Sequence, residues 1–293
     1  MAKSAATGRR VKVQYGQDHS VRHLTVYKVA SVALLLVIAF LFTFPLYWII
    51  TGSFKDAQTI NAPVPQWWPL NPTNGNYLRL FQRPAELWLF NTVLICAAAM
   101  AFTVITASMG GYALAKKEFP GRVAIFSIFV AAMALPKQVI LIPLLREMAW
   151  LNLHNTLWAV ILPTVGWPFG VFLMKQFSET IPNELLEAAD IDGAGEARTF
   201  IQIVLPLIKP GIGALAIFTF ITAWNDYFLQ LIMLNDTKVL TISLGIAKLQ
   251  AELSTDFGLI MAGAALGSLP IIVIFMIFQR FFTRGITMGA VKG

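Results

Sequence analysis

Six apolar runs, at roughly residues 27–52, 87–115, 122–146, 155–175, 209–234 and 257–280, alternate along the chain with shorter polar stretches. A bilayer core about 30 Å thick takes about 20 apolar residues per helix, and each run meets or approaches that length. In hydrocarbon a segment has to satisfy its own backbone groups. The pattern therefore predicts an all-α, polytopic membrane protein with six transmembrane helices. The third run is the weakest, because Lys137 interrupts it beside Pro136; it is expected to be a span whose end unwinds near the surface. The first carries no charged side chain from Val29 to Phe54. It outruns the apolar core of a cleavable signal, about 7–15 residues, and reads as a signal-anchor span.

The polar positions orient the spans. With the N-terminus inside, fifteen of the 22 Lys and Arg residues fall on the cytoplasmic side and seven outside, the asymmetry that sets topology. Both termini are expected in the cytoplasm, and so is the stretch between the fourth and fifth spans. Residues 1–26 read as a polar cytoplasmic tail and 27–293 as the transmembrane domain. In the loop from Lys55 to Glu86, Pro63, Pro65, Pro69 and Pro72 surround Trp67 and Trp68. The prolines exclude a helix there. The tryptophans suit the headgroup boundary or a docked extracellular partner.

Composition sharpens the class. Apolar residues make up 57% and charged residues 13% of 293, against about 25% charged in an average soluble domain. The net charge of +7 comes from bases flanking spans, so no nucleic-acid partner is expected. The one cysteine, Cys96, lies in an apolar run, which excludes a disulfide framework. His19, His23 and His154 have no metal-ligand spacing. No G-x-x-x-x-G-K-[ST] or G-x-S-x-G occurs, so neither a phosphate-cradling loop nor a nucleophile elbow is present.

Six of the 15 acidic residues, Glu179, Glu184, Glu187, Asp190, Asp192 and Glu196, crowd between the fourth and fifth spans. Pro182 suits the first turn of a helix. Beyond it Glu184, Glu187 and Asp190 share one face, with Leu185, Leu186, Ala188 and Ala189 opposite. Asp192-Gly193 supplies a turn, and a second helical stretch from Glu196 to Val204 leads to Leu205-Pro206 and back into the membrane. Amphipathic helices that lie on lipid favour Lys and Arg. This acidic hairpin suits a protein partner instead.

Glu187-Ala188-Ala189, Gly193, Ile203 and Leu205-Pro206 resemble the EAA signature of ABC-importer permeases. The flanking sequence is similar to the carbohydrate-uptake, maltose-permease-like branch: Phe172-Leu173-Met174, Gln176-Phe177, Ile181-Pro182, Asp192-Gly193-Ala194, Trp224-Asn225-Asp226 and Gly285 to Gly293. The resemblance covers about residues 25–293. It implies a non-enzymatic sugar or oligosaccharide permease in a bacterial or archaeal cytoplasmic membrane. Its implied partners are a second, different permease, two ATP-binding subunits that hold ATP and Mg, an extracytoplasmic solute-binding protein and membrane lipid. This chain itself would hold no cofactor and no metal. Glu184, Glu187, Ala188, Ala189, Asp190, Asp192, Gly193 and Ala194 would form the helix coupled to the ATPase, and Gly289 and Lys292 a C-terminal contact with it.

Asp226 is the lone ionisable residue between Pro210 and Asn235 apart from Tyr227. A carboxylate inside a span faces a cavity or a partner. With Trp224, Asn225 and Tyr227 it offers the stacking and hydrogen bonding that sugars need; a helix-to-helix bond, or a place near the outer surface, is the alternative. Asn91 in the second span raises the same choice. Gly263 to Gly267 suits close helix packing. Beside the importer stands an ion-coupled secondary transporter, although that class often shows repeats and paired broken helices. A membrane enzyme lacks any nucleophile, base or metal set.

Overall fold

Without a charged side chain from Val29 onward, the first run has no face that requires a break, and it forms one continuous helix, α1 (His19–Ser53). The computed structural model describes residues 19–252 and 256–290; most of the tail at 1–26 therefore lies outside the described residues. The chain divides after Trp48 into two units. In the first, the α1 side chains are mostly exposed, as befits a helix solvated by lipid, and Phe44 meets Phe40, Tyr47 and Trp48 at ring separations of 6.1–6.4 Å.

The second unit, from Ile49, holds α2 (Ala57–Ile60), α3 (Gly75–Phe81), α4 (Ala85–Lys116), α5 (Arg122–Met133), α6 (Lys137–Trp150), α7 (Trp158–Val165) and α8 (Phe169–Glu179). It continues with α9 (Asn183–Ile191), α10 (Glu196–Thr199), a π turn at Phe200–Val204, α11 (Leu205–Leu207), α12 (Lys209–Asn225), α13 (Tyr227–Met233), α14 (Ile242–Glu252) and α15 (Phe257–Ala290). Every regular element among the described residues is helical. The proline-rich loop carries only the short α2 and α3 at its ends.

Helix α4 is the axis of this unit, packed against α7, α8 and α12. Small residues permit the close approach: a Cβ on Gly111 would lie 2.6 Å from the Lys175 backbone nitrogen. Two apolar clusters lie along α4. One gathers Trp88, Ile95 and Ala99 with Phe220, Trp224 and Leu244. The other gathers Ala107 and Tyr112 with Met174, Ile181, Val204 and Ile208.

Four helical segments are long and apolar enough to cross a membrane: Val26–Ser53, Ala85–Lys116, Trp158–Glu179 and Phe257–Phe278. Two bent pairs, Arg122–Met133 with Lys137–Trp150 (109°) and Glu196–Leu207 with Lys209–Asn225 (77°), raise the total to six if each pair is one span. The end of the third run thus does not unwind as expected but continues as a second helix after a sharp bend. Pro136 has no N–H and disfavours helical backbone at Leu135, and the chain restarts at Lys137 in a new direction. The fifth run is corrected too. It breaks at Asp226, whose ψ of 67° leaves the helical region, so α12 stops at Asn225. The fourth pauses at 166–168 between α7 and α8.

Candidate functional sites at the acidic hairpin and the helix breaks

Helix α9 ends as its Asp-Gly turn predicts. Gly193 takes φ +74°; its N–H donates to the Asp190 carbonyl (3.0 Å) and the Ala194 N–H to the Ala189 carbonyl (2.9 Å). This pair of bonds is the Schellman cap, which depends on left-handed backbone. Pro182 sits at the N-cap, one residue before the helix.

The hairpin is tied to the end of α4. Lys116 Nζ donates to the Ile181 carbonyl (2.6 Å) and to Asn183 Oδ1 (2.8 Å). Lys117 pairs with Glu196 and lies 5.5 Å from the centre of the Tyr112 ring, and Tyr112 packs on Phe200 at 5.5 Å. Partial burial opposes the charge on Lys117, but Glu196 and Tyr112 outweigh it and hold the amine above its ordinary pKa.

With its inner side anchored through Ala189 and Leu186, α9 presents Glu184, Glu187, Asp190 and Asp192 outward. None of these four has an ion-pair partner among the described residues. Leu185 and Ala188, expected on the inner side, are exposed as well; Leu186 and Ala189 alone suffice to fill the narrow contact. Ile191 at the tip is 87% exposed. A purely solvated face would carry charge alone. Carboxylates interleaved with Leu185 and Ile191 make a surface suited to burial against another protein.

The breaks in three runs meet at one cavity of about 320 Å³. Leu135 and Lys137 reach it from the α5–α6 break, Trp167 from the α7–α8 break and Asp226 from the α12–α13 break. Lys137 Nζ lies 3.3 Å from Asp226 Oδ2 and 4.6 Å from the centre of the Trp167 ring. Asp226 also accepts from the Leu229 N–H (3.4 Å) as the cap of α13. Irregular backbone at membrane depth is tolerated where it is buried in protein or lines a cavity, which these breaks do.

Of the pathway residues expected from the sequence, only Asp226 lines this cavity. Trp224 is buried against Phe220, Tyr227 packs on the core, and the Asn225 amide donates to its own helix at Ile221 (2.9 Å). The Asn91 amide donates to the carbonyls of Lys238 (2.9 Å) and Leu240 (3.0 Å), so it secures the chain leading into α14. Lys137 and Trp167 were missed. A base in the middle of the third run, away from Arg122 and Arg146 at its ends, and a lone acid in the fifth were the signal, since opposite charges inside spans pair. No group of His, Cys, Asp and Glu suited to a metal ion occurs among the described residues. Gly289 lies in the last turns of α15; Lys292 lies outside the described residues.

Residues 105–288 match the family described as binding-protein-dependent transport system inner membrane component. The arabinooligosaccharides transport system permease protein AraQ of Halalkalibacterium halodurans is 34% identical over 260 residues, covering 87% of this chain and 93% of that protein. The sulfoquinovosyl glycerol transport system permease protein SmoH of Agrobacterium fabrum is 32% identical, covering 85% and 84%. In fold the chain is similar to a bacterial ABC transporter involved in the import of the acidic polysaccharide alginate, with a TM-score of 0.80, 20% identity, and coverage of 92% of this chain and 100% of that one.

Proposed function

The chain belongs to the family of binding-protein-dependent transport system inner membrane components, and from that premise we propose that it is the sugar- or oligosaccharide-conducting permease of an ATP-binding-cassette importer. It is an inner-membrane protein that crosses the bilayer several times. The observation that carries the coupling half of this reading is the α9 face, where Glu184, Glu187, Asp190 and Asp192, without ion-pair partners among the described residues, surround an exposed Ile191. The sugar half draws on the relatives' substrates. An ion-coupled secondary transporter finds no support in this kinship.

In this reading residues 27–293 form the permease domain, both termini and the hairpin face the cytoplasm, and residues 1–26 are a cytoplasmic tail. A second, different permease completes the pathway. Two ATPase subunits bind ATP and Mg, and one of them receives α9 through Glu187 and its neighbours, with Gly193 keeping the turn tight and Ala188 and Ala194 allowing close approach. Gly289 and Lys292 add a smaller contact with the ATPase. A solute-binding protein delivers the sugar from outside. ATPase closure grips the hairpin differently in the two states, and that difference in affinity shifts the permease between inward and outward access. Asp226 belongs to the sugar's route; Asn91, Trp224, Asn225 and Tyr227 support it structurally.

The test uses the buried Cys96, which leaves the background dark to a thiol reagent. A cysteine at Asp192 should label from the cytoplasmic side only, and ATP-binding subunits should co-purify with the chain from its native complex. Labelling from outside, or sugar uptake by vesicles lacking any ATPase, would overturn the proposal.

A further inference from the structure

The Lys137–Asp226 pair sits where three runs break, beside an indole, in a cavity whose remaining walls are mostly apolar, among them Leu135, Ile140 and Phe228. Its volume, about 320 Å³, is at the small end of the roughly 300–1,000 Å³ range of ligand pockets. A smaller hollow continues from it, sharing Lys137, Thr164 and Trp167 and adding Thr103, Thr219 and Thr222. The Thr103 side chain is buried, and its Oγ1 has no hydrogen-bond partner among the described residues. A buried hydroxyl left unpaired in a native protein calls for an explanation such as an absent water or ligand. One carboxylate, one ammonium and one indole, with Thr164, line the larger space, and Thr103, Thr219 and Thr222 line the hollow beside it.

We propose that this chain seats one uncharged sugar ring there, resting on the proposed importer function. The carboxylate of Asp226 only accepts hydrogen bonds and the ammonium of Lys137 only donates them, so adjacent ring hydroxyls satisfy both at once. Trp167 presents an apolar face to the C–H side of the ring, the surface that Lys137 now covers at 4.6 Å. When no sugar is bound, the ion pair would keep both charges partnered within the span, where an unpaired one is costly. Equal and opposite charges leave no surplus cation for a uronate or sulfonate, so this seat favours neutral rings. The hollow lined by Thr103, Thr219 and Thr222 measures about 20 Å³, room for a bridging water rather than for a second ring.

The test uses the whole importer reconstituted in vesicles with its binding protein. Uptake is measured for labelled arabinotriose, maltotriose and diacetylchitobiose as neutral probes and an alginate trisaccharide as the acidic one, alongside binding-protein-stimulated ATP hydrolysis. Asp226→Asn and Trp167→Ala should each lower uptake of the neutral sugar about 10-fold or more while hydrolysis persists. If the pair were only a brace, replacing both charges (Lys137→Met with Asp226→Leu) would leave uptake intact, because a buried ion pair exchanged for apolar side chains is often neutral for stability; the seat requires that this double variant stay defective. Wild-type uptake by the double variant, or by both Asp226→Asn and Trp167→Ala, overturns the proposal. So does import of the acidic probe alone. If the unaltered importer moves none of these sugars, the importer reading itself falls.

Discussion

Replacing Gly193 separates backbone strain from partner contact at the tip of the acidic hairpin. Its φ is +74°, and a Cβ built there meets nothing within 4 Å. The cost within this chain is therefore conformational alone. For an L-residue it is about 1–2 kcal/mol, larger for a β-branched side chain, and smaller for asparagine, which visits left-handed backbone more readily. At about 1.4 kcal/mol per factor of ten, Gly193→Ala shifts the hairpin roughly 5–30-fold toward states that lack the two capping bonds at 3.0 and 2.9 Å. Helix α9 has nine residues, and isolated helices shorter than about 12–15 residues are marginal in water. It holds its shape through the cap and through the Lys116 bonds, with little in reserve.

The expected order of ATP-driven uptake is Gly ≈ Asn > Ala > Val, with Val lowered about tenfold or more and membrane insertion unchanged. Gly195→Ala is the control, because Gly195 has φ −69° and open space around it. An order by size, with Ala better than Asn, would show that the constraint comes from a partner's surface. Full activity in Gly193→Val would refute the reasoning outright.

Gly111→Ala sets a methyl 2.6–2.7 Å from the backbone of Met174 and Lys175. It should lower the detergent-solubilised thermal midpoint through overpacking of about 1–3 kcal/mol; an unchanged midpoint contradicts the close contact of α4 and α8. Asn91→Leu leaves the Lys238 and Leu240 carbonyls without their donor, a loss of about 1–3 kcal/mol. Its expected mark is reduced stability with unaltered sugar preference, and a change in preference at full stability would return Asn91 to the pathway. Glu187→Lys reverses one of the outward charges on α9 and should suppress ATPase co-purification while the chain still inserts; retained association would remove the carboxylate from the contact.

The helices were legible because the bilayer leaves a long apolar run little choice, and the Asp192-Gly193 turn because left-handed backbone selects glycine so strongly. The breaks were harder to see. Hydropathy measures where a chain is apolar and is blind to its direction, so residues 122–146 read as one span although Pro136 turns it through 109°. Asn91 was ambiguous for a different reason. A polar group in an apolar run announces only that it needs a partner, and its partners lie 147 and 149 residues away, beyond any local pattern. Leu185 and Ala188 were assigned to the inner side by helical spacing; how wide a stripe is covered depends on the neighbours, here the end of α4 and the helical return of the hairpin.

In the proposed importer the breaks and the hairpin also belong to one mechanical unit. Helix α8 starts beside Trp167 and runs 11 residues to the hairpin, about 16 Å at 1.5 Å per residue. Helix α12 returns from the hairpin over 17 residues and stops at Asp226, about 25 Å away. Near the hairpin the two are pressed together, since a Cβ on Gly211 of α12 would lie 2.5 Å from the Phe177 ring of α8. Close-packed interiors transmit displacement rather than absorb it. In the proposed importer a pull on α9 would run along α8, and past the 77° bend before α12 along α12, to two sides of the cavity, where the helical hydrogen bonding is interrupted. In that reading the cavity changes shape because it is where the helices end; an α12 unbroken through Asp226 would carry the same pull through the span as a whole and leave the Lys137–Asp226 spacing unaltered.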